Sequence, residues 1–422
     1  VRATREIVAD MTSPHRMHRL LQGDVGSGKT IVALFASCLA LENGFQAAVM
    51  VPTELLAEQH FRTFSRMLGP LGVEPVLVVG SLTAKARRAA AARLQEVGPV
   101  LAVGTHALVQ EGTQFARLGL AVIDEQHRFG VEQRATLGEK GQAPDILLMS
   151  ATPIPRSLAL TLYGDLDVSV LDERPPGRQP VTTVLRPESG RARVFDFVEQ
   201  QLAAGRQAYV VYPLIDESDK IALKAATTAF ETLVQGQFAH RRVALLHGRL
   251  PADEKDAVMR AFRDGAVDLL VSTTVIEVGI DIPNATVMVI EHPERFGLAQ
   301  LHQLRGRVGR GADESFCLLL GDVSPEAHAR LRHVIETEDG FEIARADLQL
   351  RGMGDLLGER QSGLPELKIA DPVRDEQLSE LARDAADRLL KADPTLSAPS
   401  HRALQRTLTT RYPRALELFR VG

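Results

Sequence analysis

From residue 17 to residue 171 the chain alternates short apolar runs with longer segments whose apolar residues recur every three or four positions. The apolar runs predict strands at Met17–Leu21, Gln46–Val51, Pro75–Val79, Val100–Gly104, Leu120–Ile123, Ile146–Met149 and Val168–Leu171. The periodic segments predict helices at Ile31–Leu41, Glu54–Leu68 and Ala84–Val97, with a shorter helical entry at Arg5–Asp10. Strands that read as unbroken apolar runs, spaced by helices, indicate a parallel sheet covered on both faces. Asp172–Pro187 is rich in Pro and Arg and reads as a linker or domain boundary.

A second alternating set follows. Helices are expected at Ala192–Ala203, Ala222–Leu233 and Ala252–Arg263, and strands at Ala208–Pro213, Arg242–Leu246, Asp268–Ser272, Thr286–Ile290 and Phe316–Leu320. After Gly321 the pattern changes to helices and turns, with helices at Pro325–Glu336, Ile343–Leu350 and Asp375–Lys391 and a helical look from Ser400 onward. The expected fold is α/β, with two tandem parallel-sheet domains (residues 1–175 and 176–325) and a mostly helical segment (326–422).

Composition narrows this little. The 422 residues are 45% hydrophobic and 24% charged, enough for ordinary cores. A net charge of −5 means that any basic, nucleic-acid-facing surface must be local. Without Trp and with 5% aromatics, binding by base stacking must be sparse. Cys38 and Cys317, far apart in apolar segments, read as buried free thiols in keeping with a reducing cytosol. No signal peptide or membrane-length apolar run is present in the sequence.

The chemistry concentrates first in GDVGSGKT, Gly23–Thr30. Gly23, Asp24, Val25, Gly26, Ser27, Gly28, Lys29 and Thr30 form the phosphate-loop pattern between a strand and a helix. Glycines let successive N–H groups converge on a phosphate, and the helix N-terminus adds its dipole. Lys29 is expected to reach the β- and γ-phosphates of ATP, and Thr30 to offer its hydroxyl to Mg²⁺. DEQH, Asp124–His127, ends an apolar run. Asp124 is placed to hold Mg²⁺ and Glu125 to orient or deprotonate water. SATPIP, Ser150–Pro155, ends another strand; its hydroxyls either sense the acidic motif or cap a helix, and spacing alone leaves both open. QLRGRVGR, Gln303–Arg310, supplies Arg305, Arg307 and Arg310, suited either to an arginine finger or to an anion patch for nucleic-acid backbone. Ser272–Thr286 mixes hydroxyls with Gly279 and Asp281; Thr273 and Thr274 suit phosphates, and Asp281 suits a ribose hydroxyl or an arginine.

Taken in order, these segments resemble the motifs of superfamily 2 helicases and translocases. GDVGSGKT resembles motif I, VPTELLAEQH (Val51–His60) Ia, VGTHAL (Val103–Leu108) Ib, DEQH II, SATP III, Ser272–Thr286 V and Gln303–Arg310 VI. The resemblance covers about residues 15 to 320 and implies two RecA-like domains with ATP between them. It implies Arg307 and Arg310 as finger arginines, Gln303 as a nucleotide-sensing glutamine, and Thr53, Thr105 and Thr273 as holders of nucleic-acid backbone. DEQHRFGVEQR (Asp124–Arg134) and SATPIPRSLA (Ser150–Ala159) resemble the RecG branch, which includes the transcription-repair coupling factor. YVVYPLIDES (Tyr209–Ser218) and LLHGRLPADEKDAVMRAF (Leu245–Phe262) are closer to RecG itself.

Beyond residue 325, DGFEIARADLQLRGMGDLLGERQSG (Asp339–Gly363) resembles the helical hairpin and loop that both families use to couple ATPase state to duplex translocation. Arg330, Arg351 and Gln361 match its coupling positions; Met353 stands where the family usually has Pro. Six Lys/Arg against nine Asp/Glu between residues 326 and 369 suit a lever more than a phosphate-gripping patch.

The resemblance implies a monomeric, ATP- and Mg²⁺-dependent helicase of the bacterial cytosol, acting on branched or duplex DNA in recombination and repair, with no membrane partner. It also leads one to expect, ahead of such a motor, an OB-fold wedge region and an adenine-recognition segment. Arg5–Met11 matches only the end of that lead-in, so a fragment or a short form is expected. The competing readings are a transcription-repair translocase, an RNA helicase and a nucleotide-gated DNA-binding module with weak turnover.

Overall fold

The computed structural model describes residues 1–110, 112–125, 144–151, 166–173, 179–213, 219–273, 281–351 and 375–411. Two wholly parallel sheets organise the chain. The first is built from β1 (His18–Gly23), β2 (Gln46–Met50), β3 (Val76–Val78), β4 (Leu101–Gly104), β5 (Leu118–Ile123), β6 (Asp145–Ser150) and β7 (Asp167–Leu171), in the order β3-β4-β2-β5-β6-β1-β7. β1 therefore lies between β6 and β7, with Leu20 opposite Leu148 on one side and Val168 on the other. Its helices are α1 (Arg2–Met11), α2 (Lys29–Glu42), α3 (Glu54–Leu68) and α4 (Ala84–Gln95).

Local chemistry explains several boundaries. Thr53 caps α3, its side chain accepting from Leu56 N at 3.4 Å, and Thr83 caps α4, accepting from Ala86 N at 3.2 Å. Each satisfies an amide that the helix itself leaves unpaired. Buried Ala33, Leu34, Ala36, Ala40 and Leu41 make α2 a core helix. α1 is tied to β1 by Arg19, which donates to Asp10 at 2.6 Å and to Ser169 of β7 at 2.9 Å.

The second sheet holds β8 (Val181–Arg186), β9 (Gln207–Val211), β10 (Val243–Leu246), β11 (Leu269–Ser272), β12 (Ala285–Glu291) and β13 (Ser315–Leu320), in the order β10-β11-β9-β12-β13-β8. α5 (Arg191–Ala203), α6 (Asp219–Gln235), α7 (Ala252–Arg263) and α8 (Leu298–Arg305) accompany it. β8 corrects the sequence reading. It lies inside Asp172–Pro187, expected to be a linker, yet pairs along its whole length with β13. Its β-branched Val181, Thr182, Thr183 and Val184 favour a strand. Their alternating burial suits an edge position, and the flanking prolines disguised the run. The apolar pattern does not predict the short helix α8, which begins after Gly297 and ends before Gly306.

α9 (Pro325–Glu336) and α10 (Gly340–Arg351) follow, and then α11 (Glu376–Ala392) and α12 (Arg402–Arg411). Ser324 caps α9, accepting from Ala327 N at 3.2 Å, with Pro325 in the first turn. Leu331 and Val334 of α9 and Ile343 and Ala346 of α10 join the apolar core of the second sheet, as does Leu55 of α3. All described residues through 351 form one compact unit, and residues 375–411 belong to a second. Among the described residues no helix is long and apolar enough to cross a membrane.

At the C-terminal end of β12, Glu291 is fully buried. Arg191 grips both its oxygens at 2.7 Å, and the Tyr212 hydroxyl donates to it at 3.3 Å. Burial beside this carboxylate pushes the Tyr212 phenol well above its ordinary range. Arg191→Ala is expected to lower stability by about 2 kcal/mol, below the ~3–5 of a fully buried pair because the arginine side chain is partly exposed. Urea titration of the variant measures it.

Candidate nucleotide-binding cleft

The phosphate loop leaves β1 at Gly23 and enters α2 at Lys29. Gly26 and Gly28 have φ of 79° and 92°, the left-handed region that glycine adopts without strain. A Cβ on Gly23 would collide with Ser27 Oγ. Lys29 Nζ donates to the carbonyls of Gly23 at 2.8 Å and Asp24 at 2.9 Å. Burial lowers its pKa, and the charges of Asp124, Glu125 and Asp24 counter that only partly. The charge of Arg310, from the second sheet, lowers it further, so that arginine lies within electrostatic reach of the lysine.

Asp124 and Glu125 follow β5. Burial pushes the Asp124 carboxyl upward, but His60, Lys29 and the Glu125 amide outweigh it and hold the group below the usual carboxylate range. The Glu125 amide donates to Asp124 Oδ1 at 3.0 Å, and His60 Nε2 lies 3.4 Å from Asp124 Oδ2. Glu125 itself has φ of 52°, a strained setting for a side chain other than glycine and one common at functional sites.

ATP and Mg²⁺ fit these residues. The Ser27 hydroxyl is buried in the loop without a hydrogen-bond partner, and among the described residues no hydrogen bond holds the Thr30 hydroxyl. No group of three His, Cys, Asp or Glu among the described residues forms a ready-made metal cage. Mg²⁺ characteristically takes one or two protein ligands with phosphates and water completing its shell.

The second sheet brings motif VI against this loop. A Cβ on Gly306 would lie 3.1 Å from Val25 Cβ, a tight contact that would oblige Val25 to shift by a few tenths of an ångström. His302 Nε2 lies 2.6 Å from Asp24 Oδ1. Arg310 donates to Gly306 O at 3.0 Å and is ion-paired with Asp281, so two residues singled out in the sequence meet. Arg307 is buried near Tyr209, whose phenol burial pushes up to about 12. Gln303, on α8, is half-buried. Arg305, read from sequence as a candidate anion ligand, is buried, and its Nη1 donates to the carbonyls of Val334 at 2.5 Å and Thr337 at 2.9 Å.

α3 struts the two sheets. Glu58 accepts from Arg260 of α7 at 2.6 Å, and Gln59 Oε1 accepts from the Asp281 amide at 3.1 Å.

The expected backbone-gripping residues sit at strand ends. Thr105 after β4 and Thr273 after β11 are buried, with hydroxyls that have no hydrogen-bond partner. Thr53 is occupied as the α3 cap. Ser150 is buried at the end of β6, opposite Gln22. Arg330 of α9 donates to the carbonyls of Phe296 at 2.7 Å and Glu294 at 2.7 Å, which bracket the turn into α8. Arg351 ends α10. Thr152, Thr274, Gly279, Met353 and Gln361, and the last two residues of DEQH, lie outside the described residues.

Sequence reasoning missed three participants. His60 sat within a quoted motif without a role, His302 immediately preceded one, and Gly306 lay unremarked inside one. The only available signal for His302 was its i, i+3 spacing to Arg305 on a helix that carries the arginines.

A phosphate loop on one parallel sheet faced by an arginine segment on another defines a P-loop NTPase with two RecA-like domains. Matches to known proteins narrow the class. Residues 3–161 match the DEAD/DEAH box helicase model, 193–312 the helicase conserved C-terminal domain, and 337–415 the C-terminal part of domain 3 of the ATP-dependent DNA helicase RecG. The chain is 50% identical to the ATP-dependent DNA helicase RecG of Synechocystis over 98% of its own length and 50% of that protein. It is 50% identical to the Escherichia coli protein of the same name, over 92% of the chain and 57% of that protein. A solved structure of RecG bound to a three-way DNA junction superposes with a TM-score of 0.77 at 50% identity, covering 90% of this chain and 49% of that one. The Mycobacterium smegmatis helicase Lhr shares the fold at 18% identity and a TM-score of 0.56, over 80% of this chain and 48% of that one. The chain belongs to the family of RecG-type ATP-dependent DNA helicases. It spans about half the length of the curated relatives it matches.

Gly306→Ala drives a methyl group against Val25 and is expected to lower kcat for ATP hydrolysis by about tenfold, with KM changed less, because cleft closure suffers more than nucleotide docking. Steady-state ATPase kinetics read both constants.

Proposed function

We propose that this chain is the ATP-driven motor of a DNA helicase or translocase that remodels branched DNA, such as stalled replication forks and Holliday junctions, in recombination and repair. The carrying observation is the apposition of the phosphate loop and the motif VI segment, with Gly306 against Val25 and His302 Nε2 2.6 Å from Asp24 Oδ1, in a chain of this family. Residues 1–175 and 176–325 are taken as the two motor domains and 326–422 as the helical translocation segment.

In this reading Gly23–Thr30 bind the triphosphate of ATP through backbone amides, and Lys29 leaves the carbonyls of Gly23 and Asp24 for the β- and γ-phosphates. Thr30 and Asp124 hold Mg²⁺, which supplies charge neutralisation when bound. Glu125 accepts the proton of the attacking water. Arg307 and Arg310 stabilise charge developing on the transferred phosphoryl group, Gln303 senses it, and Gly279 and Asp281 complete the nucleotide side of the second domain. Arg310 must exchange Asp281 for phosphate, so that ion pair is a resting state of the finger. Thr53, Thr105, Ser150, Thr152, Thr273 and Thr274 grip the DNA backbone as the cleft opens and closes. Arg330, Arg351 and Gln361 tie the hairpin to the motor. The protein acts as a monomer in the bacterial cytosol.

The test is the ATPase rate without nucleic acid and with duplex DNA, a three-way fork, single-stranded DNA or RNA, with Lys29→Ala as the blank. Stimulation by forked or duplex DNA is expected; stimulation by RNA alone overturns the reading. Glu125→Gln is expected to lower the stimulated rate by roughly 10²- to 10⁴-fold. A parental rate in that variant removes Glu125 from the mechanism.

A further inference from the structure

A chain of polar contacts leads from the phosphate loop to the helix pair α9–α10. Asp24 Oδ1 lies 2.6 Å from His302 Nε2. His302 Nδ1 lies 2.8 Å from Arg305 Nη2. Arg305 Nη1 then donates to the carbonyls of Val334 and Thr337, at the C-terminal end of α9. A guanidinium can only donate, so Nδ1 of His302 must accept. The imidazole therefore carries its proton on Nε2 and donates it to Asp24. Each link then has a defined direction, and His302 and Arg305 are each held on both sides.

The middle of this chain of contacts is buried. His302 and Arg305 are 5% and 3% exposed. A cavity of about 40 Å³ lined by Asp24, His302, Arg305, Gly306 and Glu338 adjoins it, room for one water-sized shift. Asp347 of α10 accepts from the Leu298 amide at 3.0 Å and so caps α8, the helix that carries His302. Val181 N, at the start of β8, donates to Glu338 Oε1 at 2.6 Å. The end of α9 and the residues just after it are thus tied to α8 through Arg305 and to β8 through Glu338.

The geometry points to His302 as a positioning residue that reports the conformation of the phosphate loop to α9–α10 through Arg305. The inference rests on the proposed ATP site. Asp24 lies inside the loop that must rearrange when Lys29 leaves its carbonyl. Movement of Asp24 pulls on or releases His302, and Arg305 transfers that to two carbonyls of α9 without any contact between His302 and the nucleotide. Glutamine is the informative replacement, since its amide can donate to Asp24 and its carbonyl can accept from Arg305, whereas alanine does neither.

The experiment uses the 422-residue chain, His302→Ala, His302→Gln and Asp24→Ala. Binding of a fluorescent ATP analogue is measured first, then hydrogen exchange at amides 334–338 with and without nucleotide. In the parent, nucleotide is expected to change exchange there by roughly fivefold or more, the lower range of measured couplings. His302→Ala and Asp24→Ala are expected to reduce that change to about twofold or less while exchange in β12 stays slow, and His302→Gln to restore most of it. A packing role alone predicts no rescue by glutamine. An unaltered nucleotide response in His302→Ala, with binding intact, overturns the coupling. So does a failure of glutamine to rescue. Absence of analogue binding by the parent, equal to Lys29→Ala, instead overturns the ATP site on which the inference rests.

Discussion

The structure depends on burying one ammonium where carboxylates and carbonyls converge. Lys29 is held by two loop carbonyls and sits in the field of Asp124, Glu125 and Asp24. Removing a charge from water is costly unless partners compensate, and here they come from β1, from the loop and from the end of β5. The second sheet adds the opposing sign. Arg310 is close enough to disfavour the charged lysine, and it is kept in check by Asp281. Lys29 is thus paired with loop carbonyls and Arg310 with Asp281, each cation balanced within its own sheet's segment.

The same constraint explains which residues are small. The absence of a side chain at Gly306 lets Val25 lie close against it, and the approach brings the arginine segment to the loop. α3 then fixes the spacing, contributing Leu55 to the second core while Glu58 and Gln59 reach α7 and the Asp281 amide. The helix that presents His60 to Asp124 therefore also carries the strut.

Much of this was legible from the chain. α3, α7 and α9 begin and end where periodicity and capping residues placed them, because their signals are local: a hydroxyl cap or proline start and an apolar stripe. The central strands were equally plain, being buried on both faces. β8 was hidden because an edge strand needs only alternate burial and tolerates polar and proline neighbours. The roles of His302, His60 and Arg305 were hidden for a different reason. Each is set by partners tens to hundreds of residues away, and a single histidine or arginine carries no record of which carbonyl or carboxylate it meets.

The position of β1 between β6 and β7 has a consequence for biosynthesis. The strand that launches the phosphate loop is synthesised before either of its neighbours, both of which are encoded beyond residue 144. Until then β1 has no pairing partner in its own sheet, and its apolar residues must wait through about 120 residues of synthesis, some ten seconds at typical elongation rates. β2, β4 and β5 pair among themselves in the meantime and supply an unfinished edge. A nascent chain stalled before β6 would therefore carry the phosphate-loop sequence without either pairing of the strand that launches it.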